Sequence, residues 1–250
     1  LWGDTSGGHT SNDAMNSFRG ILLDIEGTTT PIAFVHEVLF SYARAYAREF
    51  LAKNFDTHEV RADIALVREE HELDVTNGRH PPVLSSELDS IAGYIDWLMA
   101  QDRKSTGLKS LQGKIWRQGY LNGSLKSQVF PDVRPALERW HAKGSSINIF
   151  SSGSVLAQQL LFAYTEAGDL TRFIDNHFDT NVGKKGEADS YRRIALELGL
   201  TPKEIVFISD VVSELDAASE AGMKTLLSLR PGNPPQVSAE HQPIHSFDEL

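Results

Sequence analysis

The chain has 250 residues, with 24 Lys and Arg against 34 Asp and Glu, a formal net charge of −10 and no cysteine. That composition excludes disulfides, thiolate metal sites and cysteine nucleophiles, and the acidic balance argues against a nucleic-acid partner. No apolar run approaches the ~20 residues a membrane helix needs, so the chemistry falls to the carboxylates, hydroxyls, lysines and histidines of a soluble chain.

Residues 1–17 are rich in Gly, Ser, Thr and Asp and lack the apolar core of a secretory signal. They read as a disordered leader placed ahead of a native start at Met15. Ordered sequence is expected from Phe18, where Ile21-Leu22-Leu23 is a short apolar run ending at Asp24, the pattern of a buried strand. The segment 31–127 then repeats its apolar residues at three and four: Val35, Val38, Leu39 and Tyr42; Val60, Ile64 and Val67; Ile91, Tyr94, Ile95 and Leu98; Leu108, Leu111 and Ile115. That spacing predicts a helical insert of about four helices with a loop near 77–82. Trp97, Trp116 and Tyr120 read as insert core. The run Glu69-Glu70-His71-Glu72 reads as a solvated helix face rather than a metal site, and Phe34 and Val35 as packing residues.

Beyond the insert the rhythm changes. Further apolar runs at 147–150, 173–178 (the weakest), 205–208 and 225–229 predict strands. Helical patterns at 133–143, 190–198 and 214–221 are closed by Gly144, Gly199 and Gly222, and another spans 155–164. Thr201-Pro202-Lys203-Glu204 has the order of a helix cap, first-turn proline and capping glutamate. Alternation of this kind predicts an α/β fold with a parallel sheet, formed by 18–30 and 128–250, with 31–127 inserted after the first strand.

The residues just past the strands carry the chemistry. Asp24 and Glu26 are two apart beyond the first strand, and on an extended segment they would point the same way. Gly27 allows a turn, and Thr28 and Thr29 add hydroxyls. Asp210 follows the run 205–208 through Ser209, with Glu214 four residues on. Ligands of open parallel sheets sit outside the carboxyl ends of the strands, so Asp24, Glu26 and Asp210 are expected to converge. Neighbouring carboxylates repel by about 4 kcal/mol at 4 Å for an effective dielectric near 20, which calls for a cation, and an all-oxygen donor set favours Mg²⁺. Ser151-Ser152-Gly153-Ser154 offers hydroxyls at a helix start, either as a phosphate site or as a plain cap by Ser152 or Ser154. Lys184 or Lys185 supplies positive charge. Asp24 is then a nucleophile toward phosphorus, and Glu26 a proton donor that later activates water.

This order of motifs resembles the haloacid dehalogenase superfamily. The run from Leu23 through Val35 is similar to the enolase-phosphatase E1 family, as are Asp102-Arg103-Lys104, Leu111-Gln112-Gly113, residues 150–154, His177-Phe178-Asp179-Thr180 and Arg230-Pro231-Gly232-Asn233. The resemblance implies a Rossmannoid parallel sheet with the helical insert as a cap. It implies a bifunctional enolase and phosphatase that converts 2,3-diketo-5-methylthiopentyl 1-phosphate to an acireductone in methionine salvage. The alternative is a plain Mg²⁺-dependent phosphomonoesterase of the same superfamily. By position, the likeness makes Asp24, Glu26 and Lys185 catalytic, and it makes Ser151, Ser152 and Lys185 substrate-binding. Asp24, Glu26 and Asp210 become the Mg²⁺ ligands, with Thr28 and Glu214 in support. It further implies a cytoplasmic monomer acting on a small-molecule phosphate ester. The extra methylene of Glu26, compared with Asp, suggests that it also serves proton transfer in enolisation.

Overall fold

The computed structural model describes residues 18–101, 103 and 105–250. The leader expected at 1–17 lies outside them, as do Asp102 and Lys104 of the Asp102-Arg103-Lys104 stretch. The chain forms two compact units. One comprises 18–32, 128–152 and 165–250, and the other comprises Ala33–Ser127 and Gly153–Tyr164.

The first unit is built on a parallel six-stranded sheet. Its strands are β1 (Gly20–Leu23), β2 (Ser146–Phe150), β3 (Asn176–Phe178), β4 (Ile205–Ser209), β5 (Lys224–Ser228) and β6 (Gln242–Ile244), in the order β3-β2-β1-β4-β5-β6. β1 pairs with β2 through Leu23 and Ile149, and with β4 through Leu23 and Ile208. Every residue of β1 and β4 is buried, which explains why both are continuous apolar runs rather than alternating ones. Leu22, Phe150, Phe207 and Leu227 pack with Tyr191 and Ile194 of α7 (Ala188–Glu197) and Leu215 of α8 (Val212–Glu220). Each such side chain contributes about 1.5–3 kcal/mol on burial. The strand order reverses at β1, so the carboxyl ends of β1 and β4 flank the switch point where α/β sheets bind ligands.

The expected strand at 173–178 is shorter than the sequence implies. Thr171–Phe173 forms a 3₁₀ turn, and only Asn176–Phe178 pairs with β2. The sequence also hid β6, an edge strand of three residues whose Pro243 has no N–H to donate. Thr201 and Glu204 form the expected capping interaction, the Thr201 N–H donating to Glu204 Oε2 at 2.8 Å, and it opens a 3₁₀ turn over Pro202–Glu204.

The second unit is helical, as expected. A π-helical turn over Phe34–Phe40 runs into α1 (Ser41–Asn54), followed by α2 (His58–Thr76), α3 (Leu88–Ala100) and α4 (Thr106–Leu121). A further helix, α6 (Val155–Ala163), joins them, so this unit extends past the expected insert. Tyr164 stacks on Tyr120 with centroids 5.4 Å apart, and its carbonyl accepts from the Ser127 N–H. Trp116 is buried and donates to Leu39 O at 2.8 Å, Phe34 is buried, and Trp97 stacks on Tyr94 while remaining partly exposed. On the Glu69-Glu70-His71-Glu72 face, two of the four side chains have protein partners. Glu70 pairs with Arg103, which also holds the buried Asp74, and the His71 ring bonds Pro82 O.

The start of α5 (Val133–Ala142) is tied to the chain terminus by one buried ion pair. Arg230 Nη1 donates to Asp132 Oδ2 at 2.7 Å, and the guanidinium lies 4.8 Å from the Phe130 ring centre and 4.4 Å from that of Phe247. The same carboxylate oxygen accepts from Ser246 Oγ and the Phe247 N–H. Removing one partner of a buried pair leaves an uncompensated charge. Asp132→Ala is therefore expected to lose about 3–5 kcal/mol of stability in urea unfolding, and a loss below ~1 kcal/mol would contradict the assigned role.

Candidate active site

The site grows from the ends of β1 and β4. The Asp24 N–H is held by Ile208 O at 3.0 Å, fixing the first carboxylate at the sheet's edge, where it is only 4% exposed. The chain then bends. Ile25 O accepts the N–H groups of Thr28, Thr29 and Thr30, Gly27 N–H donates to Thr30 O at 2.8 Å, and Thr29 Oγ1 donates back to Ile25 O at 3.2 Å. Gly27 has φ +70°, and a Cβ there would strike the Asp210 carboxylate. Glycine thus serves both the turn and the close approach of the two loops.

β4 delivers Ser209, fully buried, and Asp210, 8% exposed. Ser209 Oγ donates to Glu214 Oε2 at 3.0 Å, accepts from the Val211 N–H, and stands 3.4 Å from Asp24 Oδ2. The centre of the cluster is Lys185. Its Nζ lies 2.6 Å from Asp24 Oδ1 and 2.6 Å from Glu214 Oε2, with the side chain 7% exposed. Its carbonyl accepts from the Tyr191 hydroxyl at 2.7 Å, which anchors the lysine to α7. Lys184 is 83% exposed and pairs with Glu187, so of the two adjacent lysines it is Lys185 that reaches the cluster.

Electrostatics follow from this packing. Burial opposes the charge on Lys185, but the Asp24 and Glu214 carboxylates together outweigh it and hold its pKa above the usual lysine range. Burial, then the charges of Asp24 and Glu214, pushes Asp210 up to about 7. Glu214 is raised too, by burial first and by Asp24 second. Ionised, Asp24, Asp210 and Glu214 carry three negative charges against the one positive charge of Lys185. The remaining charge, and donors that are all oxygen, suit a hard divalent cation such as Mg²⁺ at Asp24 and Asp210. Beside Asp210, the Asn233 Oδ1 atom is buried without a hydrogen-bond partner, which fits the same conclusion.

The other expected residues stand differently. Glu26 is partly exposed and bridged to Thr30. Among the described residues no three Asp, Glu or His side chains are grouped to hold a metal. The backbone bends at Ile25, so the two-residue spacing of an extended strand does not govern where Glu26 goes. Thr28 is fully buried and acts through its carbonyl, which accepts from Arg230 Nε at 3.1 Å. Ser151 and Ser152 sit partly buried at the end of β2, where Ser151 N–H donates to Phe178 O. The helix cap is Ser154, which accepts from the Ala157 N–H. Ser209, Tyr191, Arg230 and Asn233 were not anticipated as site residues; the only sequence hint was the Arg230-Pro231-Gly232-Asn233 stretch.

Residues 18–222 match the family model of the haloacid dehalogenase-like hydrolases. The chain is 52% identical to enolase-phosphatase E1 of Synechococcus elongatus, over 94% of this chain and 98% of that protein. It is 46% identical to enolase-phosphatase E1 of Sorangium cellulosum, over 93% and 97%. Among solved structures, the UTR4 protein of Saccharomyces cerevisiae superposes with a TM-score of 0.78 at 34% identity, covering 93% of this chain and all of that one.

The raised pKa of Asp210 sets a pH dependence. Its folded value, about 7, exceeds the ordinary aspartate value of 3.8, so the metal-free native state binds more protons than the unfolded chain between them. Asp210 therefore lowers stability progressively as pH rises from about 4 through 7. Asp210→Asn is expected to remove that slope and to stabilise the metal-free protein at pH 8 by roughly 2–4 kcal/mol. Parallel thermal unfolding curves for the two proteins at all pH values would contradict it.

Proposed function

The chain belongs to the haloacid dehalogenase-like hydrolase family and, within it, to the enolase-phosphatase E1 proteins; on that premise we propose how its residues carry out the reaction. The protein is a phosphatase and enolase of methionine salvage. Its proposed substrate is 2,3-diketo-5-methylthiopentyl 1-phosphate, converted to 1,2-dihydroxy-3-keto-5-methylthiopentene and phosphate. The observation that carries the reading is Lys185 bridging Asp24 and Glu214 at the sheet's switch point, 2.6 Å from each.

In the proposed sequence, a proton first leaves the substrate carbon bearing the phosphate ester and the adjacent ketone oxygen becomes an enol hydroxyl, with Glu26 assisting the transfer. The Asp24 carboxylate then attacks phosphorus, the phosphorus–oxygen ester bond breaks, and Glu26 protonates the departing oxygen. Water, deprotonated by Glu26, attacks the aspartyl-phosphate and frees both Asp24 and phosphate. Lys185 balances charge on the phosphoryl group, and Glu214 and Tyr191 keep its ammonium in place. Ser151 and Ser152 bind the phosphate. Mg²⁺, held by Asp24 and Asp210, would supply further charge stabilisation at the phosphoryl oxygens. The helical unit is proposed to select the methylthio substrate. Among the described residues no helix is long and apolar enough to cross a membrane. The enzyme is proposed to act as a cytoplasmic monomer on this small phosphate ester, without nucleic acid.

Assays following the enol chromophore and phosphate release separately test the reading. Asp24→Asn, and the wild type in EDTA, are expected to lose phosphate release roughly a thousandfold or more. Glu26→Gln is expected to slow both steps by about a hundredfold or more. If the diketone is left untouched by wild type that hydrolyses other phosphate esters, the enzyme is instead a plain phosphomonoesterase. If Glu26→Gln enolises at the wild-type rate, Glu26 has no part in that step.

A further inference from the structure

The end of β5 and the loop after it reach the Gly27 turn with three side chains, none used in the reaction above. Ser228 Oγ and Asn233 Nδ2 both donate to Gly27 O, at 3.2 and 2.8 Å, and Arg230 Nε donates to Thr28 O at 3.1 Å. A carbonyl has two lone pairs and accepts both of its donors. Ser228 and Arg230 each brace the turn.

Asn233 goes further. Its Nδ2 also lies 3.5 Å from Asp210 Oδ2, and its Oδ1 is buried with no partner. The amide orientation is fixed by chemistry, because turning it over would set Oδ1 against the Gly27 carbonyl oxygen. A buried acceptor next to a carboxylate is therefore left needing a donor, an arrangement that folded proteins rarely tolerate. Water in the hydration shell of a cation is such a donor, since its oxygen faces the ion and its hydrogens face outward.

We propose that Asn233 is a positioning residue for the divalent cation, its Nδ2 fixing the Gly27 turn beside Asp210 and its Oδ1 accepting from a water of the cation's hydration shell. The proposal rests on the reading that Asp24 and Asp210 hold Mg²⁺. Groups that orient metal ligands in this way typically change metal affinity by 10–100-fold when removed.

The test is calorimetric titration of the full chain with MgCl₂, without substrate, for wild type, Asn233→Leu, Asn233→Asp and Ser228→Ala, each checked for folding by thermal unfolding without metal. Asn233→Leu keeps the size of the side chain and is expected to weaken Mg²⁺ binding at least tenfold. Asn233→Asp keeps an acceptor but sets its second oxygen against the Gly27 carbonyl, so it should weaken binding less than Asn233→Leu does. Ser228→Ala removes only a brace and should change the affinity less than threefold. Wild-type affinity in Asn233→Leu overturns the proposal. Equal weakening in Asn233→Leu and Ser228→Ala also overturns it, because the effect then comes from holding the turn. Absence of Mg²⁺ binding by wild type would instead sink the underlying reading of Asp24 and Asp210, and this proposal with it.

Discussion

A single buried ammonium group makes the catalytic end of this sheet possible. Lys185 Nζ, in contact with Asp24 and Glu214, sets a positive charge between two buried carboxylates that would otherwise repel each other directly. The arrangement is incomplete by design. A third acid, Asp210, is buried nearby and held near neutrality in its pKa, so the cluster is short of positive charge. A cluster short of positive charge attracts a divalent cation, and it already contains the carboxylate proposed to attack phosphorus.

The fold supplies this cluster cheaply. β1 and β4 are neighbours on either side of the point where strand order reverses, so the residue following each strand arrives beside the other without any long loop. Backbone bonds, not side chains, set the depth: Asp24 N–H on Ile208 O joins the two strand ends before either acid is placed. The Gly27 turn then passes so close to Asp210 that no side chain fits between them. Braces from Ser228, Arg230 and Asn233 stop that turn from relaxing away. Rigidity at this end follows from the sheet, and the proposed nucleophile Asp24, held this firmly, loses little orientational freedom when substrate binds.

Much of this was legible in the sequence, and for a physical reason. Asp24 and Asp210 each follow a fully buried strand, and such strands announce themselves as unbroken apolar runs. The helical insert was equally plain, because a helix that buries one face must repeat its apolar residues at three and four. Elements that lack such a signature were missed. β6 has three residues and a proline, and Phe173 belongs to a 3₁₀ turn although it continues an apolar pattern. Glu26 was placed by the geometry of an extended strand, whereas the chain bends one residue earlier under the three hydrogen bonds to Ile25 O. Ser209, Tyr191 and Asn233 matter through neighbours distant in sequence, and no local pattern marks such residues. Choosing Lys185 over Lys184 needed a resemblance or coordinates, since only the fold decides which of two adjacent side chains turns inward.

The most direct examination of this account is a crystal structure grown with Mn²⁺ in place of Mg²⁺ and a phosphoryl mimic such as beryllium fluoride. The account predicts one anomalous peak within coordination distance of Asp24 and Asp210, the mimic attached to an Asp24 oxygen, and Lys185 still touching Asp24. A metal peak elsewhere, or the mimic bound to another side chain, would contradict it.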